Sequence, residues 1–342
     1  MSCCLESLSM TSSYKITKEH QLTTLMTTAI ATFWQSGQFE QFTGVSDTSI
    51  ATARFIHPSA KHAIVISPGR AEGYLKYQEL VFDLYNNGYS VFIIDHRGQG
   101  ISGRLLIDPH RGYVEDFEHY ATDLKFFIDN IVTQHCSQPP LLLAHSMGSA
   151  IALRLMQRCP KLVKAAVLCS PMIAISANGV PAWLAKIVIS IGHRINQLFG
   201  KFPWYFFGQG PYKLHTFENN DLSHSKIRHE LFAQLYKHTA ALQIGGVTFQ
   251  WLRQALKAHK SIIRDAKRLE CPLLVFQASQ DTIVCNQAQN EFCQLLAKEK
   301  PSVVTSEQPI VIHGAKHELF FEQDSYRTET LSKALAWFEQ FR

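Results

Sequence analysis

The segment LLLAHSMGSAIALRL, residues 141–155, sets Ser146 directly after an apolar run and before a helical one, with Ala144 two residues earlier and Gly148 two later. This nearly matches G-x-S-x-G, where small flanking residues permit a strained strand-to-helix turn that exposes a serine hydroxyl as a nucleophile. The amides opening the following helix would face a developing oxyanion. The plain alternative is a strand-helix junction with Ser146 as N-cap. Ala144 in place of the first glycine adds one methyl.

A nucleophilic serine needs a base, and the base needs a group to orient it. Of sixteen histidines, His317 stands just past the apolar run PIVIH (309–313), and Asp281 stands in the same relation to LLVFQ (273–277). Reacting groups of open parallel sheets collect beyond the carboxyl ends of strands, so Ser146, Asp281 and His317 form the candidate triad. A second oxyanion donor is expected from Pro68-Gly69-Arg70-Ala71-Glu72, after the run HAIVIS (62–67). Pro68 has no N–H and Gly69 permits a close turn, so the Arg70 N–H is selected, acting with that of Met147. The Arg70 side chain is expected to pair with Glu72, the alternative being an anionic group of the substrate.

Two other patterns are set aside. His313 and His317 are four apart, as metal ligands on a helix would be, but Gly314 and the β-type run before it indicate a strand exit; no metal is expected. His313 and His145 are read as packing beside the site. Gly98, Gly100 and Gly103 spell G-x-G-x-x-G, with Asp116 as a possible ribose ligand, yet Pro109 and Gly112 intervene before helical sequence begins near Glu115. No nucleotide cofactor is expected. The segment reads as a turn beside the site, with Asp95 and Arg97 as a structural pair.

The elements that must position these residues alternate. Short strand-like pieces (39–42 and 50–55) precede HAIVIS; SVFIID (90–95), LLLAH (141–145), AAVLC (165–169), LLVFQ and PIVIH follow, separated by helical stretches near 77–86, 115–132, 148–158 and 286–298, with a closing helix near 325–341. Continuous apolar strands in such an alternation predict an α/β fold with a mostly parallel sheet covered on both faces. Between Pro171 and Asp265 the alternation gives way to helix-like, aromatic-rich sequence, read as an inserted helical cap. The expected organisation is an N-terminal helical segment (1–35), a core (36–170 and 266–342) and the cap (171–265). In the N-terminal segment Leu22, Leu25, Met26, Ile30 and Phe33 repeat at the spacing of one amphipathic helix, a better reading than a signal peptide.

Composition narrows the class. Over 342 residues, 46% hydrophobic and 18% charged content excludes disorder, and a net charge of +5 is too small for a dedicated nucleic-acid binder. Eight cysteines without C-x-x-C spacing indicate a reducing compartment such as the cytosol. The longest uncharged apolar stretch is interrupted by Pro171, Asn178, Gly179 and Pro181, which argues against a membrane span.

The blocks PGRAEGYLKYQEL, DHRGQGISGR, AHSMGSAIALRL, QASQDTIV and GAKHELFFE resemble, in order, the signatures of the monoacylglycerol lipase-like branch of the α/β-hydrolases, and within it bacterial lysophospholipases of the inner membrane. The resemblance runs from about Phe33 to the C-terminus. It implies the α/β-hydrolase fold with Ser146 as nucleophile, Asp281 as acid, His317 as base and Arg70 and Met147 as oxyanion donors. The chain order Ser, Asp, His is the one this fold uses. It departs at Pro68-Gly69-Arg70-Ala71-Glu72, where the lipases carry H-G-x-G-E, and at Ala144.

The expected reaction is two-step acyl transfer from a lysophospholipid or another single-chain acyl ester, without cofactor; the resembling lysophospholipases also pass the acyl group to a second lipid. A monoacylglycerol lipase or general carboxylesterase would share every catalytic residue. A lipid carrier on a hydrolase fold would need a broken triad, and a dehalogenase or epoxide hydrolase would need Asp at position 146. The segment 171–265 carries eleven Lys and Arg against four acids, together with Trp183, Trp204, Phe206 and Phe207. That combination predicts docking of the cap on an anionic membrane, with the protein cytoplasmic or peripheral on the cytoplasmic face of the inner membrane.

Overall fold

The computed structural model describes residues 14–60, 62–176, 179–304 and 306–341. Eight strands form one sheet: β1 (Gln38–Thr43), β2 (Ser49–Phe55), β3 (Ala63–Ser67), β4 (Ser90–Ile94), β5 (Leu141–His145), β6 (Ala165–Cys169), β7 (Leu273–Ala278) and β8 (Ile310–Ile312), in the spatial order β1-β2-β4-β3-β5-β6-β7-β8. The β1/β2 and β2/β4 pairs are antiparallel and all later pairs parallel. Parallel neighbours require crossovers, which the helices supply.

The continuous apolar strands follow from burial on both faces. Phe92, Ile94, Leu142, Ala144, Ala166 and Leu168 feed one core, and their neighbours Val91, Ile93, Leu141, Leu143, Ala165 and Val167 feed the other. Helices α4 (Glu118–Asn130), α5 (Met147–Arg158), α8 (Phe249–Arg264) and α9 (Asn286–Glu299) cover the first; α3 (Gln78–Asn86) and α10 (Asp324–Glu339) cover the second. Each fully buried large apolar side chain contributes about 1.5–3 kcal/mol.

Register aligns the working ends. Ser67 pairs with Ala144, His145 with Cys169, and Ala278 with Ile312. The loops after β3, β5, β7 and β8 therefore leave the sheet along one edge.

Between β6 and β7 the chain builds α6 (Ala182–Phe199) and α7 (Lys226–His238) before α8. Arg228 of α7 ties this region down, meeting Glu79 at 2.8 Å and Asp324 at 3.1 Å. Helix α8 lays Trp251, Ala255, Ala258 and Ile262 into the first core.

The N-terminal segment departs from the single helix expected. It forms α1 (Glu19–Thr27) and α2 (Ala29–Gln35), broken at Thr28, whose backbone leaves helical geometry at φ −124°, ψ −97°. The Thr27 and Thr28 hydroxyls bond back to Thr24 O at 3.0 and 2.8 Å, a competition with the helix that β-branched hydroxyl residues invite. Residues 1–13 lie outside the described residues, as does Asn178.

Candidate active site

Ser146 occupies the junction of β5 and α5 at φ 49°, ψ −115°. A non-glycine residue there carries roughly 1–3 kcal/mol of backbone strain, retained where the surroundings enforce it. Two bonds to the serine backbone do so: its N–H donates to Cys169 O at 3.0 Å and its carbonyl accepts the Met172 N–H at 3.1 Å. Gly148 is required for a different reason. A Cβ there would lie 2.0 Å from Ser67 O and 2.5 Å from Pro68 O, so only glycine lets α5 approach the loop after β3. Ala144, fully buried in the core, tolerates its methyl.

The structure brings the three sequence-selected residues together. His317 Nε2 is 2.9 Å from Ser146 Oγ, and His317 Nδ1 is 2.7 Å from Asp281 Oδ2. The other Asp281 oxygen accepts the Ile283 and Val284 N–H groups at 2.9 and 3.0 Å. Burial disfavours a charged Asp281, but the His317 bond and these two amides outweigh it and hold the carboxyl below its usual range. This geometry allows His317 to take a proton from Ser146 while Asp281 fixes the ring.

The main-chain N–H groups of Arg70 and Met147 have no acceptor among the described residues, and both belong to segments that abut at Gly148. Free amides at the first turn of a helix and in the adjoining loop are suited to an oxyanion.

Several side-chain expectations need correction. Arg70 does not pair with Glu72: its Nη2 donates to Gly245 O and its guanidinium lies over Trp251. Glu72 is already engaged, accepting the Gly69 N–H and the Tyr77 hydroxyl at 2.5 Å each and pairing with Lys76 at 3.0 Å. Asp95 and Arg97 are not a pair. Asp95 accepts the Tyr74 and Ile101 amides, and Arg97 grips Asp123 at 2.7 Å. His145 does pack beside the site, 4.9 Å between ring centroids from His317, whereas His313 is exposed because Gly314 turns the chain outward after β8.

A buried layer beneath the site escaped the sequence reading. Lys76 bridges Glu72 to Glu318 at 2.5 Å, and His145 sits 3.3 Å from both Glu72 Oε2 and the His317 carbonyl, which also accepts the Ser170 hydroxyl. Burial opposes every charge here, but the mutual attraction of Lys76, His145 and Glu72 holds the Glu72 carboxyl well below its usual range. The Gly98–Gly103 turn belongs to this layer, since Gln99 Nε2 donates to the Gly69 and Glu72 carbonyls at 2.7 and 2.9 Å. The available signals were the i, i+4 spacing of Glu72 and Lys76 and the adjacency of Glu318 to His317. Among the described residues no group of three His, Cys, Asp or Glu is placed to hold a metal.

An eight-stranded, mostly parallel sheet with a serine at a strained strand-to-helix elbow defines an α/β-hydrolase. More narrowly, the chain belongs to the Hydrolase_4 family, described as serine aminopeptidase, S33, which matches residues 58–324. It is 34% identical over 325 residues to lysophospholipase L2 of Escherichia coli, spanning 95% of this chain and 94% of that protein. It is 25% identical over 297 residues to the monoglyceride lipase of Rattus norvegicus, spanning 85% and 88%. The crystal structure of Paleococcus ferrophilus monoacylglycerol lipase shares the fold at a TM-score of 0.64 and 17% identity, covering 87% of this chain and 98% of that one. The family description names a peptidase, whereas these relatives are named as lipid-ester hydrolases.

Proposed function

We propose that the protein is a serine hydrolase that cleaves the fatty-acyl ester of lysophospholipids through an acyl-enzyme. His317 removes the Ser146 proton as Oγ attacks the acyl carbonyl, Asp281 stabilises the imidazolium, and the Arg70 and Met147 N–H groups receive the oxyanion. His317 then protonates the leaving glycerophospho-alcohol and activates the water that releases the fatty acid. The observation that carries this reading is the continuous Asp281–His317–Ser146 contact on a strained elbow, in a chain similar over nearly its whole length to a lysophospholipase. Likeness to a monoglyceride lipase favours a second reading, the same chemistry on a neutral head group.

The lipid substrate and the surface chemistry support peripheral docking, with residues 171–265 as a cap over the site. Trp183, Ile187, Ile191, Ile195, Leu198 and Phe199 recur along α6 and are 42–77% exposed, an apolar face of the kind that marks an interaction surface. Lys186, Arg194 and Lys201 lie in or beside it, which suits an anionic bilayer on the cytoplasmic side. Among the described residues no helix is long and apolar enough to cross a membrane.

Turnover of lysophosphatidylethanolamine and of a monoacylglycerol with the same chain separates the two readings. Cleavage of the former is expected, and cleavage of monoacylglycerol alone would sink the lysophospholipase assignment. Liposome binding should strengthen with anionic lipid and weaken with salt; indifference to both would remove the docking reading.

A further inference from the structure

Among the described residues the four buried arginines are matched to carboxylates, whereas the partly buried Arg70, in the loop beside the active site, is not. Arg97 meets Asp123 at 2.7 Å, Arg154 meets Asp265 at 2.8 Å, Arg228 meets Glu79 at 2.8 Å and Arg327 meets Asp83 at 2.7 Å. Arg70 has no carboxylate partner among the described residues. Its Nη2 donates to Gly245 O, its guanidinium carbon lies 5.5 Å from the centroid of the Trp251 ring, and its Nε is shielded from solvent with no acceptor. Enclosure without a counter-charge draws its pKa down to about 10, Tyr120 opposing the shift.

A desolvated cation without a matching anion is costly, and arginine is the residue whose planar fork best receives a phosphate. The residue as a whole keeps some accessible surface. Position matters as much as charge. Arg70 is also the residue whose main-chain N–H is assigned to the oxyanion. About five bonds separate its Cα from the guanidinium carbon, and about six separate the ester carbonyl carbon from phosphorus in a 1-acyl lysophospholipid, so the two spans are comparable.

We propose that the Arg70 guanidinium, held by Gly245 O and the Trp251 face with Nε unengaged, binds the phosphodiester of the substrate head group and makes the enzyme prefer lysophospholipid to neutral monoacyl ester. This rests on the lysophospholipid reading above. It also assigns a purpose to arginine in the loop that departs from the lipases' H-G-x-G-E.

The test uses the full chain and Arg70→Gln and Arg70→Lys variants, measuring kcat/KM for lysophosphatidylethanolamine and for the monoacylglycerol of equal chain length. Any disturbance of the oxyanion loop falls on both substrates and cancels in their ratio. That ratio should drop about tenfold or more in Arg70→Gln, with Arg70→Lys between. An unchanged ratio would overturn the proposal and leave Arg70 a strut between the loop and Gly245. A second measurement does not depend on lysophospholipid turnover. Glycerophosphoethanolamine should inhibit hydrolysis of p-nitrophenyl butyrate competitively, and its inhibition constant should rise about tenfold in Arg70→Gln; no inhibition, or equal inhibition of both proteins, refutes the site. A wild type that cleaves only monoacylglycerol would remove the substrate reading, and the inhibition result would still decide whether Arg70 binds a phosphodiester.

Discussion

Replacing Glu72 by Gln probes whether the buried layer holds the two halves of the active site together. The carboxylate is 3% exposed and serves the Gly69 N–H, the Tyr77 hydroxyl, Lys76 and His145. The Gly69 N–H and the Tyr77 hydroxyl share Oε2 while Lys76 takes Oε1, so glutamine either sets its NH2 against the Lys76 ammonium or turns it toward Gly69 and Tyr77 and strands the Gly69 amide. A stranded buried donor costs about 1–3 kcal/mol. Lys76 keeps Glu318 at 2.5 Å, so the charge loss lies below the about 3–5 kcal/mol of a fully broken buried pair. A destabilisation of about 2–4 kcal/mol is expected, read as a lower urea midpoint at unchanged m. Because Gly69 precedes the proposed oxyanion donor, kcat on a soluble chromogenic ester should also fall. Glu318→Gln alone leaves Lys76 with Glu72, whereas the double variant leaves Lys76 with neither carboxylate. The cycle should therefore show coupling of about 0.5–3 kcal/mol. Unchanged stability and kcat in Glu72→Gln, or strict additivity with Glu318→Gln, would refute the idea that this layer positions the site.

Gly148→Ala places a methyl against Ser67 O and Pro68 O, so it should lower Tm and displace the elbow; native-like kcat and Tm would contradict the close approach. His96, fully buried with Nε2 2.9 Å from Ser67 Oγ, has its pKa lowered by burial to about 3. Its neutral form stabilises the fold fully above the unfolded value of about 6.5, and that contribution is lost as pH falls toward 3, at most about 5 kcal/mol. His96→Gln should therefore show a shallower fall of unfolding free energy between pH 6 and 4, and an identical slope would contradict the assignment.

The legible parts of this protein were those written in local pattern. Apolar runs such as SVFII and AAVLC announce strands buried on both faces. Ala144, Ser146 and Gly148 announce the elbow because the close approach of α5 to Ser67 O admits nothing larger than glycine at position 148. Side-chain pairings were less legible, since they depend on which distant segments meet. Arg97 finds Asp123 on α4 instead of its neighbour Asp95, and Arg70 turns toward Gly245, 175 residues away, because Glu72 is taken by Gly69, Tyr77 and Lys76. The break at Thr28 was hidden for the opposite reason. The apolar spacing of Leu22 to Phe33 fits one helix, and hydroxyl bonds to Thr24 O decide otherwise.

The central claim is that Ser146 is the nucleophile of an acyl-transfer enzyme. Treatment of the native protein with a fluorophosphonate, followed by mass analysis of its peptides and assay of lysophosphatidylethanolamine turnover, tests it directly. A single adduct on Ser146 with complete loss of turnover is expected, and Ser146→Ala should be neither labelled nor active. Full activity in Ser146→Ala, or inactivation with the adduct on another residue, would contradict it.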